Sequence, residues 1–129
     1  MKLNPDCIRD ILLTVENKSS FNTIWDYQKE DHQNELLENY SHDEIAYHIR
    51  QCSLSGFLNG VNYYDGGDNI LVGDLTPEGH QFLANIRSNT NWNKTKEIAK
   101  SVGSDSLDVI KQISIGVIQS IIQSKLGQL

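Results

Sequence analysis

Side chains able to attack, ligate or shuttle a proton are few in this sequence: cysteines at 7 and 52, and histidines at 32, 42, 48 and 80. Cys7 and Cys52 fall on the apolar faces of helical patterns, where a free thiol packs as a small hydrophobe. Two cysteines make no disulfide framework, and their separation matches no zinc cluster. His42 and His48 are six positions apart on one helix, about 600° of rotation, so they leave it on different sides. A helical zinc pair needs i and i+4. His48 follows Glu44 by four, the spacing of a surface or boundary hydrogen bond. The acid pairs Glu30/Asp31 and Asp65/Asp68 sit in polar loop or turn sequence, where carboxylates serve solubility. Gly66-Gly67 lacks the Gly-Lys-Ser/Thr ending and the following helix of a phosphate loop. No nucleophile set, metal cluster or cofactor motif emerges, so the sequence reads as non-enzymatic, with no cofactor and no metal.

Recognition chemistry remains. His42, Asp43, Tyr47, Arg50 and Gln51 are the outward residues of one helical pattern, and Tyr63, Tyr64, Asp65 and Asp68 lie in the turn-rich segment after it. Arg50 and Gln51 could read base edges. Asp43 and Glu44, however, stand at the helix start, where phosphate would be received, and Asp65 and Asp68 occupy the turn. Affinity for a duplex grows with the number of phosphates neutralised, and one arginine neutralises little. The whole chain carries a formal charge of -6, without the basic footprint of a nucleic-acid binder. Arg87, Lys94, Lys96 and Lys100 form the one basic concentration and read as a solvated face. Trp25, Tyr27, Tyr47, Tyr63 and Tyr64 are types that serve interfaces and cores alike. The partner-binding candidates are therefore His42, Tyr47, Arg50, Gln51, Tyr63, Tyr64, Asp65 and Asp68. Charge favours a protein partner over nucleic acid.

Several elements must position these residues. Asn4 can cap a helix with Pro5 at its first position and Asp6 at its positive end; Ile8, Ile11, Leu12 and Val15 give it one buried face. Phe21–Tyr27 has the aromatic and β-branched content of a short strand. A polar run, Gln28–Glu35, reads as an exposed loop, after which Leu36 and Leu37 tuck a helical turn against the core. Ser41-His42-Asp43-Glu44 is a capping box, with Tyr40 and Ile45 at the staple positions. It opens a helix to about Ser55 whose buried side is Ile45, Ile49 and Cys52, ended by Gly56 in a left-handed conformation. Phe57–Tyr64 and Ile70–Leu75 flank Asp65–Asn69 as a hairpin. Thr76-Pro77-Glu78 then starts a helix with Phe82, Leu83 and Ile86 inside. A short helix with Trp92, Thr95, Ile98, Ala99 and Val102 on its apolar side closes at Gly103.

The last helix, about Ser106 to Leu126, has a narrow polar stripe (Asp108, Gln112, Gln119, Gln123). Leu107, Ile110, Ile113, Ile115, Val117, Ile118, Ile121, Ile122 and Leu126 cover most of the rest. A helix apolar over more than half its circumference needs cover on a second side. The first helix of the same chain could supply it. The circumference favours self-association or a partner instead, with Ile115, Ile118, Ile121, Ile122 and Leu126 as the homodimer candidates.

The order helix, strand, capped helix, hairpin, helix is that of an α+β winged helix, with the helix before the hairpin as recognition helix and the hairpin as wing. Residues 1–88 are the expected winged-helix domain and 89–129 a C-terminal helical extension. Leu3–Leu12, Tyr40-Ser41-x-x-Glu44-Ile45-x-Tyr47-His48-Ile49, Gly56-Phe57-Leu58 and Leu75-Thr76-Pro77-Glu78-Gly79-His80-x-Phe82-Leu83 with Trp92 resemble an uncharacterised bacterial and phage family, domain of unknown function 2513. The last segments are also similar to the YjcQ family, which implies a winged-helix fold. The resemblance covers residues 1–100, implies a mobile-element origin and carries no catalytic residues.

At 129 residues the chain is one domain's worth of material. No long apolar core precedes its first proline and acid, so no signal peptide is expected. No apolar run long enough to span a bilayer occurs, and a bacterial cytoplasmic setting follows. The functional expectation is a module that docks to a protein, as a modulator or inhibitor of a host factor. The alternative is a DNA-binding regulator using residues 41–55.

Overall fold

A computed structural model of the chain describes residues 1–30 and 34–129. Asp31, His32 and Gln33 lie outside the described residues, and with them His32 as a ligand candidate, one member of the Glu30/Asp31 pair and the middle of the expected polar loop. The described residues form a mixed α+β structure with five α-helices and two small antiparallel sheets. They divide into two compact units, Met1–His80 and Gln81–Leu129. No helix among them is long and apolar enough to cross a membrane.

The first unit begins with α1 (Pro5–Lys18), capped as its sequence requires: the Asn4 side chain accepts from the amides of Asp6 and Cys7 at 3.0 and 3.4 Å. Cys7, Ile8, Ile11, Leu12 and Val15 are buried, the face that the 3.6-residue period lays out. Strand β1 (Trp25–Gln28) follows. It starts later than the aromatic content implies, because Ser20 and Thr23 close a turn through the Ser20 amide and the Thr23 carbonyl (2.9 Å). Phe21 is left fully exposed. A 3-10 turn at Glu35–Leu37 buries Leu37 but leaves Leu36 exposed, since a single turn offers only one side to the core.

Helix α2 (His42–Leu54) carries the full capping box. The Ser41 hydroxyl accepts from the Glu44 amide at 3.2 Å, and the Glu44 carboxylate accepts from the Ser41 amide at 3.1 Å. Its buried side is Ile45, His48, Ile49 and Cys52, packed against α1. Gly56 ends it at φ 82°.

The expected single hairpin is two ladders. Strand β2 (Leu58–Asn59) pairs with β5 (Asp74–Leu75), and β3 (Asn62–Tyr64) pairs with β4 (Asn69–Val72). The break is steric. A Cβ at Gly60 would come within 3.2 Å of the Gly73 Cα, and one at Gly73 within 3.0 Å of the Asn59 carbonyl oxygen, so two backbones meet where neither carries a side chain. Strand β1 then adds to β4, giving the order β1-β4-β3, with Trp25 opposite Val72 and Tyr27 opposite Ile70. That pairing buries Trp25 and Tyr27, so these two aromatics belong to the core.

The Thr76 hydroxyl caps α3 (Pro77–Ile86) by accepting from the Gly79 amide at 3.0 Å, and the boundary between the units falls inside this helix. In the second unit α4 (Asn89–Val102) starts a turn earlier than its apolar pattern implies, because Ser88 caps it through the Asn91 amide (3.1 Å). Val102, expected on its apolar side, is exposed beside the left-handed Gly103. Helix α5 (Leu107–Leu126) is capped by Ser106 and packs on α4, burying Ile110, Ser114 and Val117.

Candidate functional site

Between α2 and the tip of the β3–β4 hairpin lies a groove of about 530 Å³, lined by Met1, His42, Asp43, Ala46, Tyr47, Arg50, Tyr63, Gly66 and Gly67. Helical spacing selects the α2 contribution: residues 42, 43, 46, 47 and 50 recur at three- and four-residue steps on the side opposite Ile45, His48, Ile49 and Cys52. Within the groove the Arg50 guanidinium stands 5.7 Å from the centre of the Tyr47 ring, in cation–π range. Arg50 and Tyr63 line the same groove. Burial pushes the Tyr63 hydroxyl above its ordinary value, and the guanidinium pulls it the other way.

Three side chains fasten the hairpin tip to the start of α2. The Tyr27 hydroxyl lies 2.8 Å from His42 Nδ1, and His42 Nε2 lies 3.5 Å from the Asp68 carboxylate. The two ring nitrogens of His42 thus meet one partner each, the tyrosine hydroxyl and the carboxylate. Lys29 adds its amide to the Asp68 carbonyl at 2.8 Å and its ammonium to the carboxylate at 4.0 Å. Buried Tyr27, with its hydroxyl pushed up to about 12 by burial and the Asp68 charge, stays neutral. Asp65 sits at the tip with φ 53° and accepts from the Asn69 side chain.

The groove itself rests on a buried histidine. The Asn4 amide donates to His48 Nε2 at 2.8 Å, which puts the ring proton on Nδ1, where it donates to the Glu44 carbonyl at 2.6 Å. His48 is fully buried, so the boundary position expected from its spacing to Glu44 is corrected. The i−4 bond exists, but it goes to the Glu44 backbone, and the other ring nitrogen holds the cap of α1. Tyr40 makes a second tie between the two helices' surroundings, its hydroxyl donating to Asp10 at 2.7 Å.

Of the partner-binding candidates, His42, Tyr47, Arg50 and Tyr63 converge on the groove. Asp65 and Asp68 stand at its hairpin end, where Asp68 is already engaged by His42 and Lys29. Gln51, half-buried, and Tyr64, exposed on β3, are not among the lining residues. Gly66 and Gly67, read from the sequence only as a turn, line the groove, as do Met1 and Ala46, which no sequence pattern marks as site residues. Only the exposed side of the α2 pattern could have pointed to Ala46. Among the described residues no group of three or more His, Cys, Asp or Glu side chains could hold a metal ion.

Both thiols are free and buried. Burial, with Glu44 and Asp10 nearby, pushes Cys7 up to about 12, and burial pushes Cys52 up as well. A disulfide reagent at pH 8 is therefore expected to find no reactive thiol in the native protein and both in denaturant; rapid labelling of the native chain would contradict the packing. The same shifts set an alkaline limit. Below the ordinary thiol value of 9.0 the neutral thiols cost nothing in either state. As pH climbs toward about 12, unfolded thiols ionise while Cys7 stays neutral, so stability falls. The urea midpoint should drop through that window.

The family model described as hypothetical protein DUF2513 matches residues 2–105. An uncharacterized protein of Haemophilus influenzae is 30% identical over 128 residues, covering 95% of this chain and 99% of that protein. No solved structure matches. The matched span takes in α1, the groove-forming α2 and hairpin, α3 and α4, and the chain belongs to the DUF2513 family.

Proposed function

We propose that this chain is a non-enzymatic winged-helix module that docks a protein partner across the groove between α2 and the β3–β4 hairpin. The element order α1, β1, α2, β3–β4, α3 and the sheet order β1-β4-β3 support the winged-helix reading, with α2 as recognition helix, the hairpin as wing, residues 1–88 as the domain and 89–129 as its helical extension. One observation carries the choice of partner. The groove offers two tyrosines around a single arginine and is itself lined by Asp43, beside Glu44 in the first turn of α2, with Asp65 and Asp68 flanking its two glycines on the hairpin turn. Aromatic and arginine side chains are the types enriched at protein interfaces, and carboxylates at a helix start and wing tip repel phosphates. The resemblance to phage and prophage proteins suits a modulator or inhibitor of a host factor, working in the bacterial cytoplasm.

Affinity capture from host lysate tests this with Tyr47→Ala and Arg50→Glu as controls. Arg50 is exposed, so Arg50→Glu should change folding by under about 0.5 kcal/mol; Tyr47 is half-buried with its ring edge-on to His48, so the urea midpoint of Tyr47→Ala is measured alongside the capture. The wild type should retain a discrete protein that both variants lose; nothing above background, or equal capture by all three, would count against the reading. Exposed Arg50 favours the second reading, a DNA-binding regulator. A mobility shift on the upstream DNA of its own gene at low salt decides it: no shift is expected, and a tight, salt-sensitive shift abolished by Arg50→Glu would establish the regulator instead.

A further inference from the structure

The sheet order β1-β4-β3 leaves β3 at an edge, and the parity of the ladders fixes which of its backbone groups face outward. The Lys29 amide donates to the Asp68 carbonyl, one step beyond the Gln28–Asn69 pair. Bonded pairs alternate along an antiparallel ladder, so Tyr27 and Trp25 exchange bonds with Ile70 and Val72. Ile70 thus turns its backbone groups toward β1. On the other side of β4 the bonded pairs are Asn62 with Leu71 and Tyr64 with Asn69, and the Tyr63 amide and carbonyl point away from the sheet. No hydrogen bond among the described residues takes them up. Opposite Ile70, the half-exposed Tyr63 side chain lies on the sheet face that Ile70 and Tyr27 share, and it lines the α2 groove. The far edge differs. Its outward positions are Asp26 and Gln28, whose side chains bond each other at 3.1 Å, and charge on an edge discourages pairing.

We propose that the partner segment held in the groove is an extended strand that adds antiparallel to the outer edge of β3, with a carboxylate opposite Tyr63 that pairs with Arg50. The proposal rests on the docking reading above and gives its occupant a conformation and a charge. In the antiparallel arrangement one partner residue exchanges both bonds with Tyr63, and its side chain turns to the same face as the tyrosine ring, toward α2. Among the side chains lining the groove Arg50 carries the one full positive charge; it stacks on Tyr47 and meets no carboxylate among the described residues. Asp43, the one carboxylate in the lining, lies seven residues earlier, about 10 Å along the helix, at the end where His42 meets Asp68 of the hairpin turn. An acidic side chain is therefore favoured opposite Tyr63 and opposed two residues further toward the turn. Main-chain bonds of an added strand supply affinity and its alternate side chains supply specificity; β3, three residues long, suits a short segment.

Selection of a random decapeptide library displayed on phage against the full chain yields the probe. A synthetic copy of the enriched peptide is then scanned with single backbone N-methyl groups. Methylation should weaken binding at least about tenfold at alternate residues, those that bond to β3, and leave it within about twofold at the residues between them. Arg50→Gln in the chain, or neutralising the peptide's acid as its amide, should each weaken binding about tenfold, and the two together no more than either alone. The Tyr63 amide should exchange quickly in the free chain and at least about tenfold more slowly when the peptide saturates it. No enriched peptide, indifference to methylation, or sensitivity recurring every three to four residues as in a bound helix would overturn the strand. Undiminished binding to Arg50→Gln would overturn the charge assignment. A host protein captured through the groove alongside any of these results would leave the docking reading standing and remove the strand alone.

Discussion

His48→Ala should destabilise the fold by about 3 to 5 kcal/mol, read as a fall in the urea midpoint at unchanged slope. Truncation leaves the Asn4 amide, which His48 engages at 2.8 Å, without its acceptor; the Glu44 carbonyl loses the ring donor at 2.6 Å but keeps its helical amide and the Cys7 thiol. The orphaned amide costs about 1–3 kcal/mol, and the emptied space of the fully buried ring adds a cavity cost of about 2 kcal/mol or more. Total stability of a domain is only about 5–15 kcal/mol, so the variant should be close to unfolding at 37 °C. Asn4→Ala is the calibrating control. It removes the cap of α1 but keeps the amide on His48, and should cost about 1 kcal/mol. A His48→Ala cost no larger than that would mean the ring is not the tie between α1 and α2.

Gly79→Ala should cost about 2 to 4 kcal/mol although alanine is the better helix former. A Cβ at position 79 collides with the Phe57 carbonyl oxygen and comes within 3.2 Å of the Phe57 Cα. The obstacle is backbone, which cannot rotate away, and it is already used: the Thr76 amide donates to the same carbonyl at 3.0 Å, and the Thr76 hydroxyl donates to the Gly56 carbonyl at 2.5 Å. Relief therefore pulls the start of α3 off the segment leading into β2. Overpacking of this kind typically costs about 1–3 kcal/mol, and the lost cap adds to it. Gly116→Ala in α5 supplies the contrast. Nothing lies within 4 Å of its added methyl, so it should gain about 0.5–1 kcal/mol from helix propensity alone. Opposite signs for the two glycine-to-alanine changes, measured by urea unfolding, are the expected result; a stabilising Gly79→Ala would refute the close approach.

What could be read from the sequence was local. Ser41 with Glu44, Asn4 with Pro5, Thr76 with Pro77, and the glycines at 56 and 103 each specify a helix end within a few residues, and all of these ends lie where those signals put them. Long-range pairing was not legible. Nothing near Trp25 announces that it faces Val72, or that His48 will cap the amide of Asn4, because such contacts depend on where the chain returns. Phe21 and Ile24 show propensity yielding to context, since strand-forming types end up exposed beside a serine–threonine turn. The candidate site divides the same way. His42, Tyr47 and Arg50 were found from α2's period, whereas the Tyr27–His42–Asp68 tie that sets the hairpin against them joins three separate segments. The aromatic residue types left core and interface open, and only the β1–β4 ladder decides for Trp25 and Tyr27.

The claim that the α2–hairpin groove receives a protein is tested most directly by placing a photo-crosslinking amino acid at Tyr63, a half-exposed groove residue, and irradiating host cells that express the full chain. A covalent adduct with one protein of discrete mass, lost when Arg50→Glu is added, is the predicted result. Crosslinking to nucleic acid, or no adduct at all, would contradict it.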